Sequence, residues 1–562
     1  SIPAAIMSLD QKKAFDMVNR NFLYEILRTL KIDKRVMKFL ETIYKNTNTS
    51  IQVNGHFTEK VSLQRGVRQG CPLSPTLYVL YVHAFITHLT RSTQFCGISL
   101  PGGHMCKVSA YADDLVMFCR DKSDLDYVFS FFDKVAIATG STLNKSKTKV
   151  LYLGPKWDSS VYGQDEIKIC GIQFNASNDG KSTFQECETK ITSRIEKFKH
   201  LTLTLRGKVL ICNTMLFPVL FYACSTFLPT KSFCSNISKS VFSFVWGEGK
   251  SEPIARSVIM TPKENGGLGL SDLFVQAKSI YFLSNFVSPC MDDFNHQRLY
   301  LFKYFFAFWC RNLIDSIYRH DSPHSFSLIT QYSHVNDILK ELVDHHDILK
   351  SFAVSSQQLY RWLKGEPDDV DIRHPVTFKD HKEYCSKRSR LYRLYVDPKI
   401  DIKKVDFMWR VALGGLKTGD IIRKYKIPGA KVNCVFCDGR VLETVEHLFV
   451  DCKALDSIRD IAIEYYTLFD LKVPHSDCDA MRLLLTLGLT PMVESKHKSR
   501  NIFDVTSEYC YTIWRTRNDI IFKYKVLSPD SISDMAHILK SKCKILYSDN
   551  LKNSRAGEVV GE

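Results

Sequence analysis

The chain of 562 residues is long enough for roughly three or four domains. Its hydrophobic content of 45% supports buried cores and excludes a chain that is disordered throughout. A formal net charge of +16 favours a polyanionic partner, either a nucleic acid or an anionic membrane surface. The 18 cysteines are scattered, so we expect free thiols in a reducing compartment, apart from any metal cluster.

The chain begins with a predicted strand. The apolar run Ala4–Met7 precedes Asp10, which places this carboxylate at a strand end. A helix follows before residue 30, because apolar residues there recur at helical spacing. A second helix is predicted for residues 34–44, and Asn54-Gly55 predicts the turn of a hairpin within residues 50–63.

A glycine-containing segment at residues 65–75 comes next. Gly66 and Gly70 would let the backbone approach a ligand closely. Gln69 supplies an uncharged donor and acceptor. We expect the arginines of this segment, including Arg68, to contact phosphate groups or a polymer backbone, the alternative being a solvated surface.

Two further helices are predicted after the glycine-containing segment. Ser74 is predicted to cap a helix that continues to Leu89, and the N-terminus of this helix would face a ligand bound at the glycine-containing segment. Ser123 is predicted to cap a later helix, and Gly140 to end it.

An acidic pair, Asp113-Asp114, lies between two short apolar runs that predict a β-hairpin with the carboxylates at its turn. Adjacent carboxylates repel each other, and a cation shared with a third carboxylate would convert that repulsion into binding energy. Asp10 is the third candidate. Three such groups on adjacent strand ends make an oxygen-rich site suited to Mg²⁺, and the alternative is an ordinary solvated turn.

These motifs resemble those of reverse transcriptases, in particular the LINE-type (non-LTR) retrotransposon enzymes. Asp10 with Ala14-Phe15-Asp16 resembles the first catalytic motif, residues 65–75 resemble the nucleotide-binding motif, and Tyr111-Ala112-Asp113-Asp114 resembles the catalytic hairpin. The resemblance is strong over residues 1–270, moderate over 405–525 and weak between them. It implies an RNA-directed DNA polymerase, a nucleotidyltransferase that extends a DNA 3′-hydroxyl on an RNA template by a two-metal mechanism.

The resemblance also assigns roles. Asp10, Asp113 and Asp114 would hold two Mg²⁺ ions. The implied substrate-binding residues are Phe15, Arg68, Gln69, Gly70 and Lys147. Phe15 would exclude a ribose 2′-hydroxyl, the alternative being a plain core residue, and Gln69 would touch the nucleotide. Lys147 is preferred over Lys145 as the proton donor to pyrophosphate, with a surface lysine as the alternative.

Residues 156–275 are predicted to form a helical thumb. Tyr152-Leu153-Gly154 resembles the turn that closes the palm at the primer, and residues 183–200 predict a basic helix. The apolar stretch Val209–Leu228 contains polar residues and a proline, which favours buried helices over a membrane span. Residues 266–270 resemble a linker of the family, not a dinucleotide site.

Residues 276–404 are predicted to be a helical connector. The aromatic residues at 302–309 suggest buried helices there. At residues 387–393, positive charges alternate with aromatic residues, which suits either nucleic acid or a solvated helix.

A second constellation, Cys434, Cys437, His447 and Cys452, has the spacing C-x2-C-x9-H-x4-C. Three thiolates and one imidazole are a complete tetrahedral shell for structural Zn²⁺, against the alternative of scattered buried cysteines. The pattern resembles the zinc-binding region of LINE reverse transcriptases, predicted at 405–460. Residues 461–562 are predicted to be helical. Asp530 and Asp534 are weak candidates for a nuclease site, because no clear strands frame them.

The sequence thus predicts an α+β protein with a right-hand polymerase palm, an antiparallel sheet with helices at residues 1–155, a helical thumb, and a mostly helical C-terminal region carrying a zinc knuckle. We expect the family's fingers to precede residue 1, so that this chain alone polymerises poorly or not at all. The implied partners are an RNA template, a DNA primer or target and deoxynucleotides, without a membrane. We expect an intracellular ribonucleoprotein in nucleus and cytoplasm. Two alternatives stay open. A group II intron maturase shares the Tyr111-Ala112-Asp113-Asp114 hairpin, although the segment at residues 68–75 and the C-terminal knuckle favour the LINE-type family. The other alternative is a remnant that binds RNA or DNA without catalysis.

Overall fold

The computed structural model describes most of the chain. The described residues are 4–100, 105–154, 162–249, 252–263, 266–291, 330–342, 354–365, 401–426, 429–437, 439–469, 496–523 and 527–558. They divide into two compact units, each described below by itself. Unit 1 comprises residues 1–187, 222–229 and 278–356, and unit 2 comprises residues 188–221, 230–277 and 357–562.

A five-stranded sheet organises unit 1. Its strands are β1 (Ala4–Leu9), β8 (Val108–Tyr111), β9 (Asp114–Cys119), β10 (Lys149–Leu153) and β11 (Gly163–Gln164), in the order β11-β10-β1-β9-β8. All pairings except β10 with β11 are antiparallel. The predicted first strand is therefore the central strand of the sheet, which agrees with its apolar composition.

Helices pack against the sheet, as expected for a polymerase palm. They are α1 (Arg20–Thr29), α2 (Lys34–Tyr44), α3 (Ser74–Arg91) and α4 (Lys122–Thr139). Their apolar residues share one core with the strands, and Tyr78, Tyr81 and Phe85 of α3 are almost fully buried in it. The bounds of α2 are those predicted, and the expected α+β fold with an antiparallel sheet is confirmed.

Two predicted helix caps differ from the structure. Leu73 precedes α3 without a side-chain cap, while the Ser74 hydroxyl lies inside the helix, 3.4 Å from the Tyr44 hydroxyl. At α4 the cap is Asp121, whose carboxylate accepts the backbone N–H of Asp124, so the helix begins before Ser123. Gly140 ends α4 in the left-handed region, as predicted.

The remaining strands of unit 1 are short ribbons. The predicted Asn54-Gly55 hairpin forms between β3 (Gln52–Val53) and β4 (His56–Phe57) and is solvent-exposed throughout. The other two-residue strands are β2 (Asn48–Thr49), β5 (Val61–Ser62), β6 (Ile98–Ser99) and β7 (Met105–Cys106), which pair β2 with β5 and β6 with β7. A longer hairpin joins β12 (Glu166–Ile169) to β13 (Ile172–Asn175) through Cys170-Gly171.

Helices complete the described part of the middle region. They are α5 (Lys181–Phe198), α6 (Leu205–Ile211), α7 (Pro218–Cys224), α8 (Lys231–Trp246), α9 (Arg256–Met260), α10 (Leu273–Phe282), α11 (Ser288–Met291), α12 (Thr330–Glu341) and α13 (Ser356–Lys364). A π-helical turn (Cys212–Leu216) lies between α6 and α7, and another (Leu283–Val287) lies between α10 and α11.

The stretch Leu205–Cys224 is long and apolar enough to cross a membrane by length and composition, with 39% of its most apolar window buried. Core helices of soluble proteins pass the same test, so this stretch is weak support for a span.

The C-terminal part of unit 2 is helical around a small cysteine-rich hairpin. Its elements are α14 (Ile402–Ala412), α15 (Gly419–Lys424), a π-helical turn (His447–Asp451), a 3₁₀ turn (Lys453–Leu455), α16 (Asp456–Leu468), α17 (Lys496–Phe522) and α18 (Pro529–Glu558). Trp409 of α14 is buried, and its indole N–H donates to the Gly266 carbonyl at 2.8 Å. The mostly helical C-terminal region expected from the sequence is confirmed.

Candidate functional site

The acidic pair lies at the turn of the β8–β9 hairpin. Tyr111 pairs with Asp114, which leaves Ala112 and Asp113 as a two-residue turn. Ala112 has φ of 52°, in the left-handed region that tight hairpin turns require. Asp113 and Asp114 are both exposed, so the turn presents two carboxylates to solvent.

The sheet register brings Asp10 to the same place. Leu9 of β1 is paired with Leu115 of β9, the last pair of these strands, and the same antiparallel register continued by one residue brings Asp10 opposite Asp114. Residues opposite each other on antiparallel strands have Cα atoms about 4.5–5.5 Å apart. The backbone N–H of Asn144 donates to the Asp10 carbonyl at 2.8 Å and holds this strand end in position. Sheet pairing thus brings the backbones of the three predicted aspartates to one end of the sheet, across more than 100 residues of sequence.

Lys147 approaches this cluster from the segment before β10. Its Nζ lies 3.7 Å from Oδ2 of Asp10. Lys145, the other lysine considered, instead lies 4.0 Å from Asp133 of α4. Both lysines are largely exposed, which leaves the Lys147 ammonium free to reorient toward a bound phosphate.

Phe15 is partly buried and packs against the core of unit 1. Its ring stacks on Tyr78 with centroids 4.7 Å apart, and it is half-buried. The Tyr78 hydroxyl donates to Oε1 of Gln11 at 3.0 Å. Burial, followed by the negative charge of Asp113, raises the pKa of Tyr78, so this hydroxyl remains protonated. The ring of Phe15 is therefore backed by a rigid aromatic neighbour.

The glycine-containing loop packs against the segment that carries Phe15. The backbone N–H of Val67 donates to the Phe15 carbonyl at 2.9 Å, and Nε2 of Gln69 donates to Oδ1 of Asp16 at 3.2 Å. A side chain at Gly66 would meet the Asp16 backbone at 2.8 Å. The expectation that Gly66 admits a ligand is therefore wrong, because this glycine admits the protein's own chain.

Gly70 differs from Gly66. It has φ of 83°, and nothing lies within 4 Å of the position that a Cβ would occupy. The backbone is therefore open there, as a residue that approaches a ligand requires. Arg68 is exposed, and its guanidinium donates to the Ile43 carbonyl at 3.0 Å and lies over the Tyr44 ring.

Arg20 of α1 is a residue that sequence reasoning missed. Its guanidinium donates to the carbonyls of Tyr44, Leu63, Arg65 and Gly66 and to the Thr47 hydroxyl, at 2.9–3.2 Å. It also lies 5.0 Å from the centroid of the Tyr44 ring. Burial lowers the pKa of Arg20. One side chain thus fixes the entry to the glycine-containing loop, and no local pattern around residue 20 signals this role.

The turn Cys170-Gly171 of the β12–β13 hairpin is a second feature that was missed. The Tyr222 hydroxyl donates to the Cys170 carbonyl at 2.7 Å and holds the turn. Burial, followed by the Asp114 charge and a hydrogen bond to that carboxylate, raises the pKa of the Cys170 thiol. The turn therefore lies beside the acidic hairpin. The pair Cys170-Gly171 between Ile169 and Ile172 was the available sequence signal.

The cysteine and histidine constellation assembles in unit 2. The backbone pairs Cys434 with Val441 and Glu443 with Val432, forming a tight hairpin that carries Cys434 and Cys437. The π-helical turn places His447 and Cys452 against it. The ligand atoms of these four residues lie within 4.8 Å of one another. Among the described residues, this is the one group of three or more cysteine, histidine, aspartate or glutamate side chains whose ligand atoms come together in this way.

The geometry of the cluster fits zinc. Sγ of Cys434 and Sγ of Cys452 are 4.0 Å apart, and Sγ of Cys437 is 3.3 Å from Nε2 of His447. Zn–S bonds of about 2.3 Å in a tetrahedron imply S···S separations of about 3.8 Å. The hydrogen bond with Cys452 lowers the pKa of the Cys434 thiol, in the direction of the thiolate that a metal binds.

A buried ion pair ties the cysteine-rich hairpin to α17. The Arg517 guanidinium lies 2.5 Å from Oε1 of Glu443, and both side chains are 1% exposed. Arg517 also donates to the Lys417 carbonyl at 3.2 Å and lies over the Trp514 ring. Burial raises the pKa of Glu443, an effect that Arg517 opposes.

Three further predictions concern segments outside these two sites. Residues 302–309 and 387–393 lie outside the described residues. From residue 456 onward, the described residues are helical and contain no strand, so nothing there frames Asp530 and Asp534 as a nuclease site.

Comparisons with known proteins agree with this geometry. Residues 3–174 match the family model described as "Reverse transcriptase (RNA-dependent DNA polymerase)". Residues 377–458 match the model described as "zinc-binding in reverse transcriptase". The first match contains the acidic cluster and the glycine-containing loop, and the second contains all four cysteine and histidine ligands.

Curated relatives come from mobile elements. The chain is 30% identical over 278 residues to the "Transposon TX1 uncharacterized 149 kDa protein" of Xenopus laevis, covering 47% of this chain and 21% of that protein. It is 27% identical over 241 residues to the "Retrovirus-related Pol polyprotein from type-1 retrotransposable element R2" of Popillia japonica, covering 39% of this chain and 38% of that protein. The chain thus spans a fifth to two fifths of these relatives.

Among solved structures, the chain resembles "Structure of telomerase from Candida albicans in complexe with TWJ fragment of telomeric RNA" with 13% identity. The match covers 53% of this chain and 48% of that one, with a TM-score of 0.27. The apo telomerase of Candida tropicalis gives 12% identity, 54% coverage of each chain and a TM-score of 0.26.

The acidic hairpin on an antiparallel sheet, with its helices and loop, is the palm of a nucleic-acid polymerase. Residues 3–174 resemble a reverse transcriptase domain, and a region that resembles the zinc-binding region of reverse transcriptases follows it. The resemblance to LINE-type (non-LTR) retrotransposon proteins is confirmed by these matches and by the TX1 and R2 relatives.

Proposed function

We propose that the chain is the RNA-directed DNA polymerase of a non-LTR retrotransposon, which extends a DNA 3′-hydroxyl on an RNA template. The primer would be a nicked target strand, as in target-primed reverse transcription. The observation that carries the proposal is the register that sets Asp10 opposite Asp114, beside Asp113 in the turn. The match of residues 3–174 to the reverse transcriptase model supports it.

Asp10, Asp113 and Asp114 would hold Mg²⁺ through their carboxylate oxygens, which suit this hard cation. When bound there, magnesium supplies Lewis acidity to the primer 3′-hydroxyl and charge neutralisation to the leaving pyrophosphate. The chain's own residues orient the nucleotide. The open backbone at Gly70 and the Gln69 side chain would contact it, and the Phe15 ring would exclude a 2′-hydroxyl by sterics.

Lys147 is the proton donor in this proposal. Its Nζ lies 3.7 Å from Oδ2 of Asp10, at the edge of the acidic cluster. A swing of its exposed side chain would bring the ammonium to the pyrophosphate as the P–O bond breaks. Proton transfer from a positioned group typically contributes about 10²–10⁴-fold to a rate.

Zinc at Cys434, Cys437, His447 and Cys452 would be structural, because four protein ligands leave no open position for catalysis. The partners in this proposal are an RNA template, a DNA primer and deoxynucleotides, which agrees with the net charge of +16. The ribonucleoprotein would act in the nucleus and pass through the cytoplasm.

The test is primer extension on an RNA template with Mg²⁺. The chain is assayed alone and fused to the upstream sequence of the Popillia japonica R2 relative. Extension by either protein that is lost in Asp113→Asn would support the proposal. The matched control is Asp126→Asn, which removes an exposed carboxylate of α4 and is expected to leave extension unchanged.

A remnant that binds nucleic acid without catalysis is the competing function. It predicts RNA binding of equal strength in the parent chain and Asp113→Asn, with no extension from either protein, alone or fused. That result would overturn the polymerase proposal.

A further inference from the structure

A cavity of about 410 Å³ lies between α17 and α18 in unit 2, outside both sites described above. This volume is within the range of about 300–1,000 Å³ typical of small-molecule pockets. Met535 and Ile538 of α18 supply apolar wall, and Tyr511 of α17 supplies an aromatic one. The cavity therefore suits a planar group of limited size that carries polar atoms at its edges.

Three polar groups on the wall have no partner among the described residues. Thr512 is 4% exposed, and its hydroxyl makes no hydrogen bond. A buried hydroxyl without a partner is unfavourable, so a ligand that hydrogen-bonds to it is favoured. The exposed side chains of Arg515 and Asp534 line the same cavity without an ion pair to each other or to any described neighbour.

The other charged groups of the cavity wall already form ion pairs with neighbouring residues. Nζ of Lys542 lies 2.7 Å from Oε2 of Glu508, and the Asp519 carboxylate lies 2.8 Å from Nζ of Lys523. The cavity therefore offers one guanidinium and one carboxylate. A phosphate would face the Asp534 charge, and a simple cation would face Arg515. A ligand with donors on one edge and acceptors on another satisfies both.

We propose that this cavity binds an unpaired guanine of a single-stranded RNA. Guanine presents O6 and N7 as a pair of acceptors, which a guanidinium contacts with two hydrogen bonds. Its N1–H and 2-amino group form a pair of donors that matches the two oxygens of the Asp534 carboxylate. The donor edge is occupied in a duplex, so the base must be unpaired. Adenine offers one donor group on that edge and fits less well.

The choice of RNA rests on the proposed function, whereas the assignment of guanine rests on the cavity alone. A free guanine nucleotide presents the same base. The site lies outside the polymerase palm, so its binding is measured without nucleotide addition. A failure of guanine binding and a failure of polymerisation are therefore separate results.

The test uses the whole chain and fluorescence anisotropy with labelled oligouridine RNAs that carry one central guanine, inosine or adenine. We expect binding of the guanine RNA to be roughly tenfold tighter than that of the adenine RNA. Inosine lacks the 2-amino group and should be intermediate. Competition by GMP at lower concentration than by the guanine RNA would assign the cavity to a free nucleotide, and the reverse order assigns it to a strand.

Variants locate the preference. Arg515→Gln and Asp534→Asn change exposed side chains and should each reduce the guanine-to-adenine ratio to near one. Lys544→Gln removes an equal charge from an exposed position of α18 and should leave the ratio unchanged. Cross-linking of a 6-thioguanine RNA should label peptides of α17 or α18. Equal binding of the guanine and adenine RNAs, or a preference that survives both cavity variants, would overturn the proposal.

Discussion

At the scale of single residues, Lys147 and Lys145 form a natural pair for comparison. Lys147 lies beside Asp10, and Lys145 lies beside Asp133 on α4. We expect Lys147→Ala to lower kcat by about 10²-fold or more while KM for the nucleotide changes little, because proton transfer is a transition-state contribution. Lys145→Ala should have no such effect. Steady-state primer extension measures kcat for both variants. An equal loss of kcat in the two variants would mean that Lys147 acts through its positive charge alone and not as a proton donor.

Phe15 tests the exclusion of ribonucleotides. Its ring is held by stacking on Tyr78, so truncation should open space without moving the carboxylates. We expect Phe15→Ala to reduce the preference for deoxynucleotides over ribonucleotides by about tenfold or more. The measurement is the ratio of kcat/KM values for dGTP and GTP.

Phe22 supplies the control for Phe15. It also packs on an aromatic of α3, with its ring stacked at 5.9 Å from Phe85. Phe22→Ala should lower stability and leave the sugar preference unchanged. A preference that is retained in Phe15→Ala would make Phe15 a core residue only.

At the scale of elements, Arg20 joins α1 to the loop that follows the exposed hairpins. Its guanidinium satisfies four carbonyls, so Arg20→Ala should leave several of them without a donor. We expect a loss of roughly 2–4 kcal/mol of stability and a raised KM for the nucleotide. Arg20→Lys should recover part of both effects, because one ammonium replaces part of the fork.

Arg28 provides the matched control on the same helix. It is half-exposed and pairs with Glu25 and Glu41 at the surface. Surface ion pairs contribute about 0–1 kcal/mol, so Arg28→Ala should change little. Chemical unfolding and nucleotide titration distinguish the two variants. An unchanged KM in Arg20→Ala would show that the loop holds its conformation without this arginine.

The cysteine-rich hairpin is the second element whose stability is open to test. We expect one zinc per chain by elemental analysis, and a strong chelator or Cys437→Ser should lower the melting temperature of unit 2 by about 5 °C or more. Cys106→Ser, in a short strand of unit 1, should retain the metal and the melting temperature. Zinc content that is unaffected by Cys437→Ser would remove this residue from the ligand set.

At the scale of the whole molecule, Glu508 links three helices of unit 2. Its carboxylate lies 2.5 Å from Nζ of Lys404 on α14 and 2.7 Å from Nζ of Lys542 on α18. Burial raises the pKa of Glu508, but hydrogen bonds from the two lysines outweigh burial and lower the pKa overall. The stabilisation is therefore present above the pKa of the unfolded chain, about 4.3, and is lost as the pH falls through the lower folded value.

We expect Glu508→Gln to cost roughly 1–3 kcal/mol at pH 7. The difference from the parent chain should shrink as the pH falls below about 5. Urea unfolding between pH 7 and pH 4 measures it. Glu464→Gln, at an exposed position of α16, should show no comparable pH dependence. A constant difference at all pH values would mean that Glu508 acts through packing and not through its charge.

The sequence by itself determined which residues are the candidates for both sites. Asp10, Asp113 and Asp114 were predicted from strand ends and motif order, and the four cysteine and histidine residues from their spacing. The predicted bounds of α2 agree with the structure, because the apolar periodicity of a helix is a local signal. The helix caps at Ser74 and Ser123 were wrong, since several polar residues near each helix start can compete for the role.

Only the tertiary structure decided which distant residues meet. The pairing of β1 with β9 sets Asp10 against Asp114, and Lys147 rather than Lys145 reaches that cluster. Arg20 and the turn at Cys170 join their sites through contacts made 24 or more residues away, which no local pattern contains. Gly66 shows the same limit. A glycine marks a close approach in the sequence, but the folded chain alone shows that its neighbour is Asp16 and not a ligand.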